Sequence, residues 1–323
     1  MAVGNVEKPG FVRFHRRMES ATHQLSFASC TRSRTANQSF PVSVVATAES
    51  RLRRLQVPFE RRRTMTASDP QVTTREEWLI ARRELLAQEK ELTRHRDRVN
   101  AARRALPMVE ITENYAFDGP DGRTGFADLF DGRGQLLIYH FMFEPDADEG
   151  CPSCSFTMDN VGNLRHLYAR DTSFAAVSRA PLNKLEQYRQ RMGWTFPWYS
   201  SHGSDFNYDF HVTLDASVAP VEYNYKDEAE LVQSDPAWKG WCGEEHGVSA
   251  FLRQGERIFH TYSGYARSTE ILLGTYHWLD LTARGRQEDW EPQPRRGDDP
   301  FMSWLRRHDE YEPGEISGEK IPE

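Results

Sequence analysis

The chain has 323 residues, of which 38% are hydrophobic and 28% are charged, and its formal net charge is -7. This length suits two average domains, or one domain with long additions. No apolar run reaches the roughly 18–20 residues of a membrane-spanning helix, and the acidic balance argues against nucleic acid as the main partner. Four cysteines are too few for a disulfide-dense secreted scaffold.

Residues 1–64 differ from the rest of the chain in charge. They contain 12 Lys and Arg against four Asp and Glu, a net charge of +8, so the remainder carries -15. The segment lacks the continuous apolar centre of a secretory signal. Three interpretations remain open: a disordered basic arm, an organelle-type targeting peptide, or translated sequence upstream of a true start at Met65. We favour the last and base no function on these residues.

Residues 65–107 are expected to form a helical extension. Thr74 precedes Arg75, Glu76 and Glu77 with the spacing of a capping box, and no Gly or Pro interrupts the chain before Pro107. One thin apolar stripe is surrounded by dense mixed charge. The pattern predicts a long helix at 74–106 that lies on a domain surface or against a partner.

Buried strands and helices then alternate. Gln135–Phe143 and Thr172–Ser178 are nearly continuous apolar runs, typical of strands covered on both faces. A helical stretch follows the first run to about Arg170, and Pro181 opens a second helix that Gly193 ends. This order predicts a parallel βαβ core.

The second half adds a hairpin and a closing helix. Gly247–Leu252 and Arg257–Tyr262 flank a polar turn, which is a hairpin signal, and residues 268–283 are expected to be helical. The order βαβα, then ββα, is that of the thioredoxin fold. The sequence therefore predicts an α/β, thioredoxin-like fold at 108–283, with a central mixed sheet flanked by helices and a long N-terminal helix. Residues 284–323 are expected to be a polar tail that packs only locally, if at all.

The chemistry is expected at Cys151-Pro152-Ser153-Cys154, between a buried strand and a helix, where a redox pair belongs. Two-residue spacing brings both sulfurs to disulfide distance, and the helix N-terminus stabilises a thiolate on the first cysteine. The second cysteine, one turn further, attacks only after a mixed disulfide has formed. We predict Cys151 as the nucleophile and Cys154 as the resolving thiol, with Pro152 and Ser153 completing the active-site loop. Acidic residues between 144 and 149 oppose thiolate formation, so Cys151 should be reactive without being extremely acidic.

Two rival interpretations of the pair stay open. The cysteines could be small buried residues without chemistry. Alternatively, Cys242 and His246 supply a C-x3-H partner, so that Cys151, Cys154, Cys242 and His246 would form a complete set of zinc ligands.

The chain resembles a bacterial thioredoxin-like family of unknown function (domain of unknown function 899), described as predicted dithiol–disulfide oxidoreductases. The resemblance covers roughly residues 73–310 and implies the fold and a redox role, but no substrate. It is carried by these segments: Arg75-Glu76-Glu77-Trp78, Glu89-Lys90-Glu91-Leu92-Thr93, Phe117-Asp118-Gly119-Pro120-Asp121-Gly122, Tyr139-His140-Phe141-Met142-Phe143, Gly150-Cys151-Pro152-Ser153-Cys154-Ser155-Phe156, Val177-Ser178-Arg179-Ala180-Pro181, Trp194-Thr195-Phe196-Pro197-Trp198, the stretch from Ser200 to Phe210, Phe259-His260-Thr261-Tyr262-Ser263 and Trp304-Leu305-Arg306-Arg307-His308-Asp309.

The sequence also departs from thioredoxin proper. Thioredoxins place a cis-proline before the third central strand, whereas Glu245-His246-Gly247 stands here. Pro145, six residues before Cys151, is more similar to peroxiredoxins. Those enzymes use a Thr or Ser in the intervening loop to hold the peroxide, and residues 146–150 contain neither. Peroxide reduction is therefore the weaker alternative.

Three further residues are candidates for a substrate groove: Arg179, Trp198 and His202. Trp198 belongs to the aromatic segment 194–210, whose residues are more often part of a core. Arg179 follows a strand end at the edge where α/β sites collect, although an ion pair with the acidic loop is the simpler expectation. Taken together, the sequence predicts a cytoplasmic thiol–disulfide oxidoreductase that needs no cofactor and acts on a protein or small-molecule thiol or disulfide. A non-catalytic binding module with a structural or zinc-binding CxxC is the alternative. No nucleic-acid or membrane partner is expected, and a homodimer through the charged helix is a candidate.

Overall fold

The structure, a computed structural model, describes residues 71–288, 291 and 302–312. The basic leader at 1–64 and the end of the polar tail lie outside these residues. The helices are α1 (Arg75–Arg104), α2 (Pro152–Asp159), α3 (Arg165–Tyr168), α4 (Leu182–Arg191), α5 (Phe206–Asp209), α6 (Glu228–Ser234) and α7 (Gly274–Leu279). Short 3₁₀ helices span Phe126–Phe130, Pro236–Trp238 and Ala266–Leu272. The strands are β1 (Val109–Ile111), β2 (Ala116–Gly119), β3 (Gly122–Gly125), β4 (Gln135–His140), β5 (Thr172–Ser178), β6 (Trp198–Ser200), β7 (Thr213–Leu214), β8 (Glu222–Tyr223), β9 (Lys226–Asp227), β10 (Gly243–Glu244), β11 (Gly247–Gln254) and β12 (Arg257–Tyr265).

Four strands have the order and directions of the thioredoxin fold. Strand β4 lies between β5, which runs parallel to it, and β11, which runs antiparallel. Strand β12 pairs antiparallel with β11 across a tight hairpin, and α2 and α3 cross from β4 to β5. The predicted α/β, thioredoxin-like fold is thus confirmed, including its mixed sheet and long N-terminal helix.

Short strands extend this sheet at both edges to eight, in the order β1-β12-β11-β4-β5-β6-β2-β3. Strand β6 pairs parallel with β5, and β2 pairs antiparallel with β6. The sequence did not predict these edge strands, because segments of three or four residues are too short to show a hydrophobic period.

Strand β4 separates two apolar cores because its side chains alternate between the faces of the sheet. Leu136 and Ile138 pack in one core, together with rings from the 206–210 segment. Tyr139 and Phe141 pack in the other core, which also contains Cys154 and side chains of α4. The second core therefore places α2 and α4 on the same face of the sheet.

Two predicted helices are interrupted. The stretch expected to run to about residue 170 ends first at Asp159 and resumes as α3, because Asn160 caps α2 with its side-chain amide on the Phe156 carbonyl. The closing helix is a 3₁₀ segment followed by the short α7. Helix α6 begins at a capping box between Asp227 and Glu230.

Helix α1 begins as predicted, with Thr74 and Glu77 forming the capping box. None of its 30 residues is buried. Apolar side chains on it stay exposed at intervals of seven residues: Trp78, Leu85, Leu92, Val99 and, just beyond the helix, Leu106. Within the described part of the chain, no helix is long and apolar enough to cross a membrane.

The C-terminal segment 302–312 packs on the domain, which corrects the expectation of a tail with local contacts only. Leu305 is buried against Phe156 of α2 and Tyr276 of α7. The Trp304 indole N–H donates to Glu288, 2.9 Å away, and its ring meets Phe156 edge-on. Met302 packs against the same cluster, and Asp309 of the segment pairs with Arg191 of α4, so both apolar and polar contacts hold the segment on the domain.

Candidate active site

The two cysteines lie at the N-terminus of α2, directly after β4. Cys151 is the N-cap residue, and Pro152 is the first residue of the helix, where its missing N–H costs no hydrogen bond. The Cys151 N–H donates to the Met142 carbonyl at 3.1 Å, which ties the loop back to the end of the strand. Both thiols are free; Cys151 is half-buried and Cys154 is only 1% exposed.

The surroundings of Cys151 favour its thiolate. A hydrogen bond from the Cys154 thiol makes the largest contribution and, despite burial, the pKa of Cys151 is lowered to about 6. The Ser153 hydroxyl lies 3.1 Å from the Cys151 sulfur. The backbone N–H groups of Ser153 and Cys154 also lower the pKa of Cys151, as the unsatisfied donors of a helix N-terminus do for an anion.

Cys154 has the opposite tendency. Burial raises its pKa well above the ordinary value, and the neighbouring Cys151 raises it further. The Tyr139 hydroxyl and the Met142 backbone N–H oppose this rise in the Cys154 pKa through hydrogen bonds to its sulfur. The pair therefore divides into one half-buried thiol that ionises readily and one buried thiol that keeps its proton.

Basic side chains hold the acidic loop before Cys151. Glu149 forms ion pairs with Arg191 and Arg307. The Lys184 ammonium group donates to the carbonyls of Pro145 and Ala147, at 3.0 and 2.7 Å. Because cations neutralise Glu149 and fix the loop backbone, the loop opposes a thiolate on Cys151 less than its acidic sequence suggests.

Arg179 forms a different ion pair from the expected one. Its guanidinium lies 3.1 Å from a carboxylate oxygen of Glu244, whose side chain is 3% exposed, rather than on the acidic loop. Thr213 and Asn207 donate to the same carboxylate, and burial raises the pKa of Glu244 to about 7. Sequence reasoning missed Glu244, because nothing local marks an ion pair between residues 65 positions apart.

The other two groove candidates are placed differently. The Trp198 side chain is 2% exposed, and its indole N–H donates to the Ser178 hydroxyl at 3.0 Å. Trp198 is thus a core residue and does not line a groove, because its ring fills the space between β6 and α4. His202 is exposed and follows β6. Since β4, β5 and β6 are parallel, His202 lies at the same sheet edge as Cys151.

The proposed zinc ligands do not assemble. Among the residues that the structure describes, no group of three or more His, Cys, Asp or Glu side chains is arranged to hold a metal ion. Cys242 and His246 therefore do not complete a zinc site with Cys151 and Cys154. His246 is instead the residue before β11, and burial lowers its pKa. Across 71–288, 291 and 302–312 every peptide bond is trans, so no cis-proline faces the cysteines.

Comparisons with known proteins gave one matching family model and several similar solved structures. A family model described as "Bacterial protein of unknown function (DUF899)" matches residues 67–311, most of the chain. Similar solved structures include a PrxQ mutant from Xylella fastidiosa, with 11% identity, a TM-score of 0.34 and coverage of 53% of this chain and 94% of that one. A peroxiredoxin Q mutant from Xanthomonas campestris has 13% identity, a TM-score of 0.34 and coverage of 54% and 98%. Peroxidoxin BcpB from Mycobacterium tuberculosis has 12% identity, a TM-score of 0.33 and coverage of 53% and 97%. No curated protein matches the sequence.

Proposed function

The chain belongs to the DUF899 family of bacterial proteins of unknown function, and we propose that it acts as a dithiol–disulfide oxidoreductase. The observation that carries the proposal is the opposite tendency of two thiols one helical turn apart. The pKa of Cys151 is lowered to about 6, whereas burial raises that of Cys154 well above the ordinary value. Such a pair gives one attacking thiolate at neutral pH and keeps the second thiol protonated until it is needed.

In one direction, the pair reduces a substrate disulfide. The Cys151 thiolate attacks one sulfur of the substrate, forms a mixed disulfide with it and expels the other sulfur as a thiolate that takes up a proton. Cys154 then loses its proton and attacks Cys151 Sγ, which forms the Cys151–Cys154 disulfide and expels the second substrate thiolate. Two electrons pass from the protein dithiol to the substrate disulfide, and an external thiol returns the protein to its reduced state. The opposite direction uses the same bonds.

The residues around Cys154 support the second step. Once Cys151 is bound in a mixed disulfide, Cys154 can no longer donate its hydrogen bond to a thiolate. The Tyr139 hydroxyl and the Met142 N–H then remain as donors that favour an anionic Cys154. Both belong to the strand region before the loop, so they stay in place when the substrate binds.

The substrate we propose is a protein or small-molecule disulfide, or the corresponding thiol, in the cytoplasm. Pro152 is exposed and Cys151 half-buried, so the substrate sulfur would approach from the N-terminal end of α2. His202 lies at the same edge of the sheet and is the remaining exposed groove candidate. Arg179 forms an ion pair with Glu244, so we expect it to hold this carboxylate and not to bind the substrate directly.

Trapping of the mixed disulfide tests this proposal. The Cys154→Ala variant, reduced and then exposed to oxidised glutathione, should accumulate one glutathione on Cys151, located by peptide mass spectrometry. The wild-type protein should pass through this adduct and finish with an internal Cys151–Cys154 disulfide. The Cys151→Ala variant serves as the matched control and should react far more slowly, because Cys154 is buried. Equal labelling of both variants, or no adduct on Cys151, would contradict the assignment of roles.

The same experiment with a hydroperoxide in place of the disulfide tests the alternative that the protein is a peroxidase. Rapid oxidation of Cys151 by a hydroperoxide, with slow reaction towards disulfides, would favour peroxide reduction over disulfide exchange. The loop at 146–150 offers no hydroxyl side chain to hold a peroxide, so we expect the disulfide to react faster.

A further inference from the structure

Arg307 connects the C-terminal segment to the loop that carries the nucleophile. Its Nη2 donates to the Gly150 carbonyl at 2.7 Å, and its Nε donates to the Tyr188 hydroxyl, also at 2.7 Å. Only 12% of the Arg307 side chain is exposed. A largely covered guanidinium that donates to a carbonyl next to the nucleophile is a specific contact, not a solvated surface charge.

The contact continues to the other side of Cys151. The Tyr188 hydroxyl lies 2.9 Å from the Ser155 hydroxyl, and Ser155 donates to the Cys151 carbonyl, again at 2.9 Å. Gly150 C=O belongs to the peptide group before Cys151 Cα, and Cys151 C=O belongs to the peptide group after it. One chain of hydrogen bonds that starts at Arg307 therefore restrains both peptide groups on which the direction of Cys151 Sγ depends.

The packing around Gly150 explains why the backbone needs this restraint. A Cβ at residue 150 would lie 2.6 Å from the Phe141 ring and 3.2 Å from Tyr188. Only glycine therefore fits at position 150, and glycine is the residue with the most backbone freedom. A conformationally free residue directly before the nucleophile needs an external restraint, and Arg307 supplies it.

The charges around Arg307 indicate that it affects Cys151 by positioning the loop and not through the electric field of its charge. Glu149 and Glu310 both form ion pairs with the Arg307 guanidinium, and Arg191 pairs with the same two carboxylates. Arg191 also pairs with Asp309, so two cations face three carboxylates and the cluster has no net positive charge. The effect of Arg307 on Cys151 must then come mainly from the forked arrangement of its donors, which a lysine cannot reproduce.

We propose that Arg307 is a positioning residue for the thiol pair: through Gly150, Tyr188 and Ser155 it holds Cys151 in the orientation that receives the donors at the start of α2. The inference rests on the proposed redox function and makes the C-terminal segment part of the active site. It follows that the segment is required for the reactivity of Cys151 and not only for stability.

Conservative substitutions test the inference, with the rate of Cys151 alkylation by iodoacetamide followed against pH. Arg307→Lys keeps the charge but loses the fork, so the pKa of Cys151 should rise from about 6 by at least about half a unit, and alkylation at about pH 6 should slow at least two-fold. Tyr188→Phe removes only the bridging hydroxyl and should shift the pKa in the same direction. The double variant should shift it little beyond the larger single shift, because both changes break one chain.

Arg306→Lys is the matched control. Arg306 is exposed and, among the described residues, its guanidinium donates to the Ser303 and Leu305 carbonyls of its own segment, so this variant should keep the wild-type profile. An unchanged Cys151 pKa in folded Arg307→Lys and Tyr188→Phe proteins would overturn the inference, and Tyr188→Phe alone decides if Arg307→Lys does not fold. The titration reads one thiol and needs no disulfide, so a wild-type protein that never forms the Cys151–Cys154 bond would overturn the proposed function separately.

Discussion

The Cys154 thiol donates a hydrogen bond to Cys151, and this contact makes the largest contribution to lowering the Cys151 pKa. The buried cysteine therefore has two functions in the proposed cycle: it activates its neighbour first and resolves the mixed disulfide afterwards. Its own pKa is raised by burial and by the same neighbour, so the proton that it shares with Cys151 stays on Cys154.

Replacing Cys154 should separate these functions. In Cys154→Ala the donor is lost, and the Cys151 pKa should rise from about 6 by roughly one unit or more towards the ordinary thiol value near 8.5. In Cys154→Ser a hydroxyl still donates, so the rise should be smaller. The pH dependence of alkylation in the two variants measures the difference, and identical profiles would show that the hydrogen bond is unimportant.

Tyr139→Phe should affect the second step and leave the first unchanged. Removal of the hydroxyl deletes a hydrogen bond that favours the Cys154 anion, so the mixed disulfide with glutathione should be resolved several-fold more slowly. The decay of the adduct in a single-turnover experiment gives this rate. Tyr168→Phe is a suitable control, because Tyr168 lies on α3 and its ring stacks against Arg133. Equal decay in the wild-type and Tyr139→Phe proteins would exclude the hydroxyl from the step.

Glu244 should make stability depend on pH. Burial raises its pKa in the folded protein from 4.5 to about 7, so the folded state binds the proton more tightly than the unfolded state. This contribution is fully present below about pH 4.5 and is lost as the pH rises through about 7. Compared with Glu244→Gln, the wild-type protein should lose up to roughly 3 kcal/mol of unfolding free energy between pH 5 and pH 8. Urea denaturation at several pH values checks this, and parallel curves for the two proteins would contradict it.

We propose a second copy of the chain as the partner of α1. Five exposed apolar side chains on and just beyond α1 recur every seven positions, a spacing that keeps them on one side of helices that wind around each other. Residues 75–91 carry four basic and five acidic side chains, whereas 92–104 carry five and one, which favours an antiparallel pair. Light scattering on the wild-type protein should give a dimer mass, and Leu85→Glu with Leu92→Glu should give a monomer. A wild-type monomer would rule out the pairing.

The sequence predicted the elements that are long or chemically marked. Gln135–Phe143 was recognisable because a strand covered on both faces is apolar throughout, and the CxxC could be placed because it follows that strand. The sequence alone left Trp198 open between core and groove, because an aromatic segment without a period shows no buried side. The partners Glu244 and Arg307 could not be predicted, since each meets its contact across at least 65 residues and long-range hydrogen bonds leave no local pattern.

The most direct test of the central claim is a redox titration of the full chain in glutathione buffers, with free thiols alkylated and located by mass spectrometry. We expect Cys151 and Cys154 to lose and regain their thiols together, with a single midpoint and a disulfide between these two residues. A pair that stays reduced across all buffers, or is alkylated only after a chelator is added, would contradict the redox assignment. The cysteines would then be structural or metal-binding.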